Sequence, residues 1–237
     1  NDVITASGTS VTIDGGLGDD TITGTTGSDS LSGGAGADTF IYASGATLLA
    51  DTIVGGTGTD VDVIQFSATG SALTLVDSQF VNVSGVEQLD LSSATAADSI
   101  TLGTAANAAG LSTVVLGGTG GDSLILTSGL TLSVTGGTGA DTVTLNTAGA
   151  TVTLLNVETV TATGTAADSV TLANTAAGSL TVDLGAGSDT LLISSGTFGQ
   201  TISATNVEVI TGGAGNDVIT ASGTSVTIDG GLGNDTI

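Results

Sequence analysis

Gly15-Gly16-Leu17-Gly18-Asp19-Asp20-Thr21-Ile22-Thr23 is the stretch from which the fold can be read. Its pattern is Gly-Gly-x-Gly-x-Asp-x-apolar-x. The pattern returns as Gly33-Gly34-Ala35-Gly36-Ala37-Asp38-Thr39-Phe40-Ile41, over residues 117–125, 136–144 and 212–220, and shortened over residues 230–237. Glycine enters positive-φ backbone that other residues resist, so the opening positions predict a tight turn. The apolar residue two places after the Asp predicts a short strand with that side chain inward. The Asp supplies a hard anionic oxygen, which suits a calcium ion. Nine residues thus encode one turn and one strand. Their repetition predicts a stacked parallel solenoid with ions in its turns.

At these residues the chain resembles the RTX (repeats-in-toxin, hemolysin-type calcium-binding) family of secreted bacterial proteins. It is similar in particular to RTX-type surface-layer and giant adhesin proteins. The resemblance implies an all-β, right-handed parallel β-roll/β-helix with calcium-binding turns and multiple Ca2+ ions. It also implies type I secretion and an extracellular place on the bacterial cell surface. The full motifs nominate as calcium-ligating residues Gly15, Gly16, Gly18 and Asp20; Gly33, Gly34, Gly36 and Asp38; Gly118, Gly120 and Asp122; Gly137, Gly139 and Asp141; Gly213, Gly215 and Asp217; and Gly231, Gly233 and Asp235. Partial copies add Asp2, Asp29, Gly56, Gly58, Asp60, Gly187 and Asp189.

Charge points the same way. The 237 residues include 23 acids and no Lys, Arg or His, for a net charge of −23. Unscreened, that charge drives a compact state apart. A halophile's solvated acidic surface would also be anionic, but here most Asp residues sit at the ligand position of Gly-rich turns. The chain is 39% hydrophobic with a mean hydropathy of +0.48, unlike disordered acidic chains. Its aromatics are Phe40, Tyr42, Phe66, Phe80 and Phe198, too few for a conventional core and enough for a thin one of Val, Ile, Leu and Ala. There is no Cys, and hence no disulfide.

Several functions are disfavoured. No apolar run approaches the roughly 18 residues of a membrane span, so membrane insertion is not expected. No cation is present to neutralise a phosphate, which excludes nucleic acid. Without His, Cys, Lys or Arg the usual bases and nucleophiles are missing. Paired carboxylates can hydrolyse glycosides, but these acids are better explained as metal ligands, so the chain is not expected to be an enzyme. Outward Thr rows such as Thr21-Ile22-Thr23 are irregular and reflect β-propensity.

Residues 216–237 repeat residues 1–22, 215 positions on, with Asn234 in place of Asp19. We read a calcium-rich part over residues 1–66, a more degenerate β-helix over 67–211 and the start of the next tandem repeat over 212–237, all in one continuous solenoid. Motif starts nine apart put alternate motifs on the same edge, so calcium is expected along one edge, with a mostly ion-free edge opposite. In the middle, Gly55-Gly56-Thr57-Gly58-Thr59-Asp60 is followed by an out-of-step Val61-Asp62, which predicts a bulge or a weakened site. The three Glu residues recur in one theme, Val86-Glu87, Val157-Glu158 and Val207-Glu208. Each marks either a calcium ligand from the opposite edge or a solvated strand start. Residues 105–111 form the one short helical candidate. The expected role is a structural repeat unit of a large secreted bacterial surface protein (filament, adhesin stalk or surface layer). It would fold and self-associate end to end on calcium binding. The alternative is a calcium-triggered folding and secretion module of a toxin or polysaccharide-acting enzyme.

Overall fold

Thr alternating with Val, Ile or Leu forms strands with one apolar face. The computed structural model describes residues 1–67, 70–146, 149–175, 178–194 and 196–237. It divides into two compact units, Asn1–Thr119 and Gly120–Ile237. Each is a parallel β-solenoid, in which successive coils add strands to shared parallel sheets.

In the first unit one sheet stacks Val3–Thr5, Thr21–Thr23, Thr39–Tyr42, Val63–Phe66, Gln88–Asp90 and Thr113–Val115, all parallel. A second stacks Thr12–Leu17, Ser30–Ala35, Thr52–Gly56 and Val83–Ser84. Thr74–Leu75 pairs with Ser99–Leu102 beside them. In the second unit one sheet runs Thr131–Thr135, Thr151–Leu155, Ser169–Leu172, Thr190–Ile193, Val209–Thr211 and Thr227–Asp229. Its other sheet runs Ser123–Leu126, Thr142–Leu145, Thr159–Ala162, Ser179–Asp183, Thr201–Thr205 and Val218–Ser222.

Parallel register places like on like. Ile22, Phe40, Ile64, Leu89 and Val114 form one column of the first unit, each fully buried. Tyr42 lies over Phe66 with ring centroids 6.0 Å apart. In the second unit Val134, Leu154, Leu172 and Ile193 form a comparable column. Burying each such side chain contributes about 1.5–3 kcal/mol. Outward, the Thr144 and Thr161 hydroxyls meet at 3.3 Å.

Coil length varies. Successive equivalent residues are 18 apart at the start of the first unit and 24–25 apart further on. The longer coils carry short helical turns, Gly45–Leu48, Asp77–Phe80 and Thr104–Ala109. The last overlaps the helix expected at 105–111; the other two lack a sequence periodicity long enough to show. The Asp77 carboxylate caps Thr104–Ala109 from the neighbouring coil. It accepts the N–H groups of Gly103, Ala105 and Ala106 at 2.7–3.0 Å. Gly110 ends that helix at φ 105°. Among the described residues no helix is long and apolar enough to cross a membrane.

Leu154→Ala removes a fully buried side chain from between Val134 and Leu172 in its column. Urea denaturation in saturating calcium should show a loss of about 2–5 kcal/mol. A loss under about 1 kcal/mol would contradict this account of the core.

Candidate metal centre

The Asp of each nonapeptide stands immediately before a strand, where the chain turns into a sheet. Strand-to-strand hydrogen bonding has not yet begun there, and the N–H needs another acceptor. The carboxylate of the next coil supplies it. In the first unit Asp2 N–H donates to Asp20 Oδ1 (2.5 Å), Asp20 N–H to Asp38 Oδ1 (2.7 Å) and Asp38 N–H to Asp62 Oδ1 (2.8 Å). The ladder closes with Asp62 N–H on Glu87 Oε2 (2.9 Å). A second ladder lies at the entry to the second sheet, where Val11 N–H donates to Asp29 Oδ1 and Asp29 N–H to Asp51 Oδ1, both at 2.9 Å. The pair Leu73 N–H to Asp98 Oδ1 (2.7 Å) is a third instance.

The second unit repeats the device at both edges. Asp122 N–H donates to Asp141 Oδ1 and Asp141 N–H to Glu158 Oε2, each at 2.8 Å. On the same edge Gln200 N–H donates to Asp217 Oδ1 (2.7 Å) and Asp217 N–H to Asp235 Oδ1 (2.9 Å). On the other edge Ala150 N–H donates to Asp168 Oδ1 (2.7 Å), Asp168 N–H to Asp189 Oδ1 (2.7 Å) and Asp189 N–H to Glu208 Oε2 (2.8 Å).

All three Glu residues therefore do one job. Each receives the N–H of the Asp in the preceding coil, while its own N–H returns to the carbonyl of that Asp at 3.1–3.3 Å. The nominated Asp20, Asp29, Asp38, Asp122, Asp141, Asp189 and Asp217 are buried rungs. Asp2 and Asp235 are less buried members of the same ladders. Asp60 is exposed, and the rung two residues later is taken by Asp62. Asp51, Asp98 and Asp168 escape the motif because no full Gly-rich turn precedes them, and Asp62 because its turn points to Asp60. Their signal is an Asp followed by Thr, Ser or Val and then Ile or Val, as in Asp20-Thr21-Ile22.

The glycines leave room for these carboxylates. A Cβ at Gly15 would fall between Asp20 Oδ2 and the Gly33 carbonyl oxygen, and one at Gly33 would overlap the Asp38 carboxylate. Gly34, at φ 114°, would meet the Gly16 carbonyl. Gly16, Gly18, Gly36, Gly231 and Gly233 also have positive φ. Turns of Gly56, Gly58, Gly118, Gly120, Gly137, Gly139, Gly187, Gly213 and Gly215 precede the remaining rungs.

Stacked, buried carboxylates disfavour their own charge. Burial pushes Asp62 up to about 6, helped by the nearby charges of Asp38, Glu87 and Asp60. Burial raises Asp38, with Asp20 and Asp19 adding, and raises Asp189, with Asp168 and Glu208 adding. Asp51, Asp98 and Asp168 are raised chiefly by burial.

Buried oxygens left without a partner test whether a cation fits. Oδ2 of Asp20, Asp38 and Asp189 is buried and accepts no hydrogen bond. Around Gly15 a carboxylate and a main-chain carbonyl from successive coils converge. An all-oxygen set with anionic members fits calcium. Among the described residues no three acidic side chains converge on one point. The remaining ligands would thus be main-chain carbonyls, which the bare glycines expose. A bound calcium would neutralise the rungs, while the chain's own part is to hold the carboxylates in register through their amide bonds.

Protons are the other way to discharge the ladder. For Asp62 the folded value of about 6 lies above the ordinary 3.8, so between these values the folded state holds a proton that the unfolded chain releases. That stabilisation is complete below pH about 4 and is lost as pH rises through about 6. Calcium-free protein should therefore show more β signal by circular dichroism at pH 4 than at pH 7. A β signal that grows with pH across this window would contradict the assignment.

The RTX calcium-binding nonapeptide repeat family model matches in four copies, over residues 1–25, 14–49 and 205–237. No curated protein and no solved structure matches the chain. The matched segments hold the rungs Asp2, Asp20, Asp29, Asp38, Glu208, Asp217 and Asp235. The nonapeptide is a calcium-binding motif, and the matched segments are RTX repeats.

Proposed function

We propose that this chain is a non-catalytic structural repeat unit of a large secreted bacterial surface protein, a filament, adhesin stalk or surface-layer component. In this reading it folds and assembles when it meets calcium outside the cell. The observation that carries the reading is the buried carboxylate ladder in a chain without a single Lys, Arg or His. At low calcium the rungs repel one another and the chain stays open for export. At about millimolar calcium, the range of extracellular modules, ions neutralise the turns and binding becomes folding free energy.

The duplicated segment supports assembly from tandem units. Val3 pairs with Thr21 at one copy and Val218 with Thr236 at the other, which is the same register. Asp2 donates to Asp20 as Asp217 does to Asp235, and Asp19 N–H meets Asn1 Oδ1 as Asn234 N–H meets Asn216 Oδ1. The first copy pairs with the coil after it, the second with the coil before it. A coil of this sequence thus accepts neighbours on both sides, and repeats can follow one another without a break in pairing.

Far-ultraviolet circular dichroism in chelator should lose the β signal and regain it on calcium addition, with elongated particles then visible by negative-stain electron microscopy. A fold that survives thorough chelation at pH 7 with an unchanged melting temperature would overturn the proposal. Calcium-dependent folding into particles that never associate would remove the assembly part alone.

A further inference from the structure

Each rung uses one carboxylate oxygen for the N–H of the preceding coil. The fate of the other oxygen differs from rung to rung. Asp29 Oδ2 accepts the Thr25 N–H at 2.5 Å and its hydroxyl at 3.1 Å. Asp51 Oδ2 accepts the Tyr42 hydroxyl at 2.7 Å, in a site where both residues are buried. Asp141 Oδ2 accepts the Gly137 N–H at 2.8 Å and Asp217 Oδ2 the Gly213 N–H at 3.1 Å. Asp20, Asp38 and Asp189 are different: each is at most 1% exposed, and Oδ2 has no donor.

Leaving a buried anionic oxygen bare is unfavourable if it stays charged. An N–H or O–H on that oxygen offsets part of the cost. It also puts positive hydrogen where a cation would otherwise approach. We propose that the rungs divide on this point: calcium is held at Asp20, Asp38 and Asp189, whereas Asp29, Asp51, Asp141 and Asp217 are closed by the protein's own donors and hold none. The inference rests on the calcium reading above and refines it.

Its least expected member is Asp189. It lies outside the matched nonapeptide segments, in a turn whose first glycine is replaced by Leu184. Its neighbours on the ladder are Asp168 and Glu208, so the two nearest rungs are also acidic. A Cβ at Gly187 would press on both the Asp189 carboxylate and the Ala166 carbonyl of the preceding coil. The bare glycine thus lets oxygens of two coils face each other, as Gly15 does beside Asp20.

The same rule explains Tyr42, the only tyrosine. Burial and the Asp51 carboxylate hold its hydroxyl protonated, well above its ordinary range, so it stays a donor and closes that rung permanently.

Calcium bound by the whole chain can be counted by equilibrium dialysis and elemental analysis at millimolar calcium, for wild type, Asp38→Asn, Asp189→Asn, Asp141→Asn and Asp217→Asn. Asparagine keeps an oxygen for the ladder N–H, and circular dichroism reports whether each variant folds. Asp38→Asn and Asp189→Asn should each lose at least one ion, while Asp141→Asn and Asp217→Asn should keep the wild-type count. A full count in Asp189→Asn, or equal losses in the Asp141 and Asp217 variants, would overturn the division. Should a variant not fold, Mn2+ added to wild type reads the same point by nuclear magnetic resonance. Amide signals at residues 187–189 should broaden strongly and those at 139–141 should not, and the reverse would overturn the proposal. A wild-type chain that binds no calcium would sink the functional reading itself, whereas a uniform pattern among variants of a calcium-binding chain would sink only the division.

Discussion

A main-chain N–H donated to the carboxylate of the next coil joins one turn of this solenoid to another. The bond forms at the entry to strands such as Thr21–Thr23, Thr142–Leu145 and Thr190–Ile193, where strand-to-strand hydrogen bonding has not yet started. A hydrogen bond to a charged acceptor contributes about 1.5–3 kcal/mol, and the unit is repeated along both edges. The same bond creates the molecule's main electrostatic difficulty. Coils stack about 4.8 Å apart, so rungs of like charge lie one above another, and the side chains offer no positive charge to set against them. The joint that holds the coils together thus demands a cation or proton from outside. The proposed dependence on calcium answers that demand, and bare glycines leave room beside Asp20, Asp38 and Asp189 for the ion.

The rest of the coil is free to vary because the rung does not depend on it. In the first unit the ladder from Asp2 to Glu87 crosses coils of 18, 24 and 25 residues with the same amide-to-carboxylate bond. Extra residues are absorbed in helical turns such as Asp77–Phe80. Where a Glu replaces Asp, its longer side chain reaches the Asp amide of the preceding coil while its own N–H binds the carbonyl of that Asp. Neutral side chains also enter the ladder region. Asn174 Oδ1 accepts the Asn156 N–H, and its amide donates to Gln200, both side chains being buried. A carboxamide there makes a buried contact between coils without adding charge.

Much of the fold is legible in local sequence. Gly-Gly-x-Gly-x-Asp followed by Thr-Ile or Thr-Val contains both the turn and the first residues of the strand, and period-two alternation supplies the rest. Asp20, Asp38, Asp122, Asp141, Asp189 and Asp217 could be placed because glycine flags them. Asp51, Asp98 and Asp168 could not, since there the chain turns without the glycine signature, and only the Asp-to-strand step remains. Asp60 misled for the opposite reason: it has the glycines but the loop runs two residues further before the strand starts, so Asp62 takes the rung. The role of the three Glu residues needs the pairing register between coils 17–25 residues apart, which no local motif contains. The donors that close Asp29 and Asp51, Thr25 and Tyr42, likewise meet their partners only in the folded coil.

The most direct test of this account is the dependence of unfolding free energy on calcium at pH 7. If buried rungs require ions, stability should rise linearly with the logarithm of free calcium once the sites are filling. The slope should correspond to at least two ions taken up on folding. Stability that stays flat from chelator to millimolar calcium would mean that the stacked carboxylates are tolerated without a counter-charge, and would contradict the account at its centre.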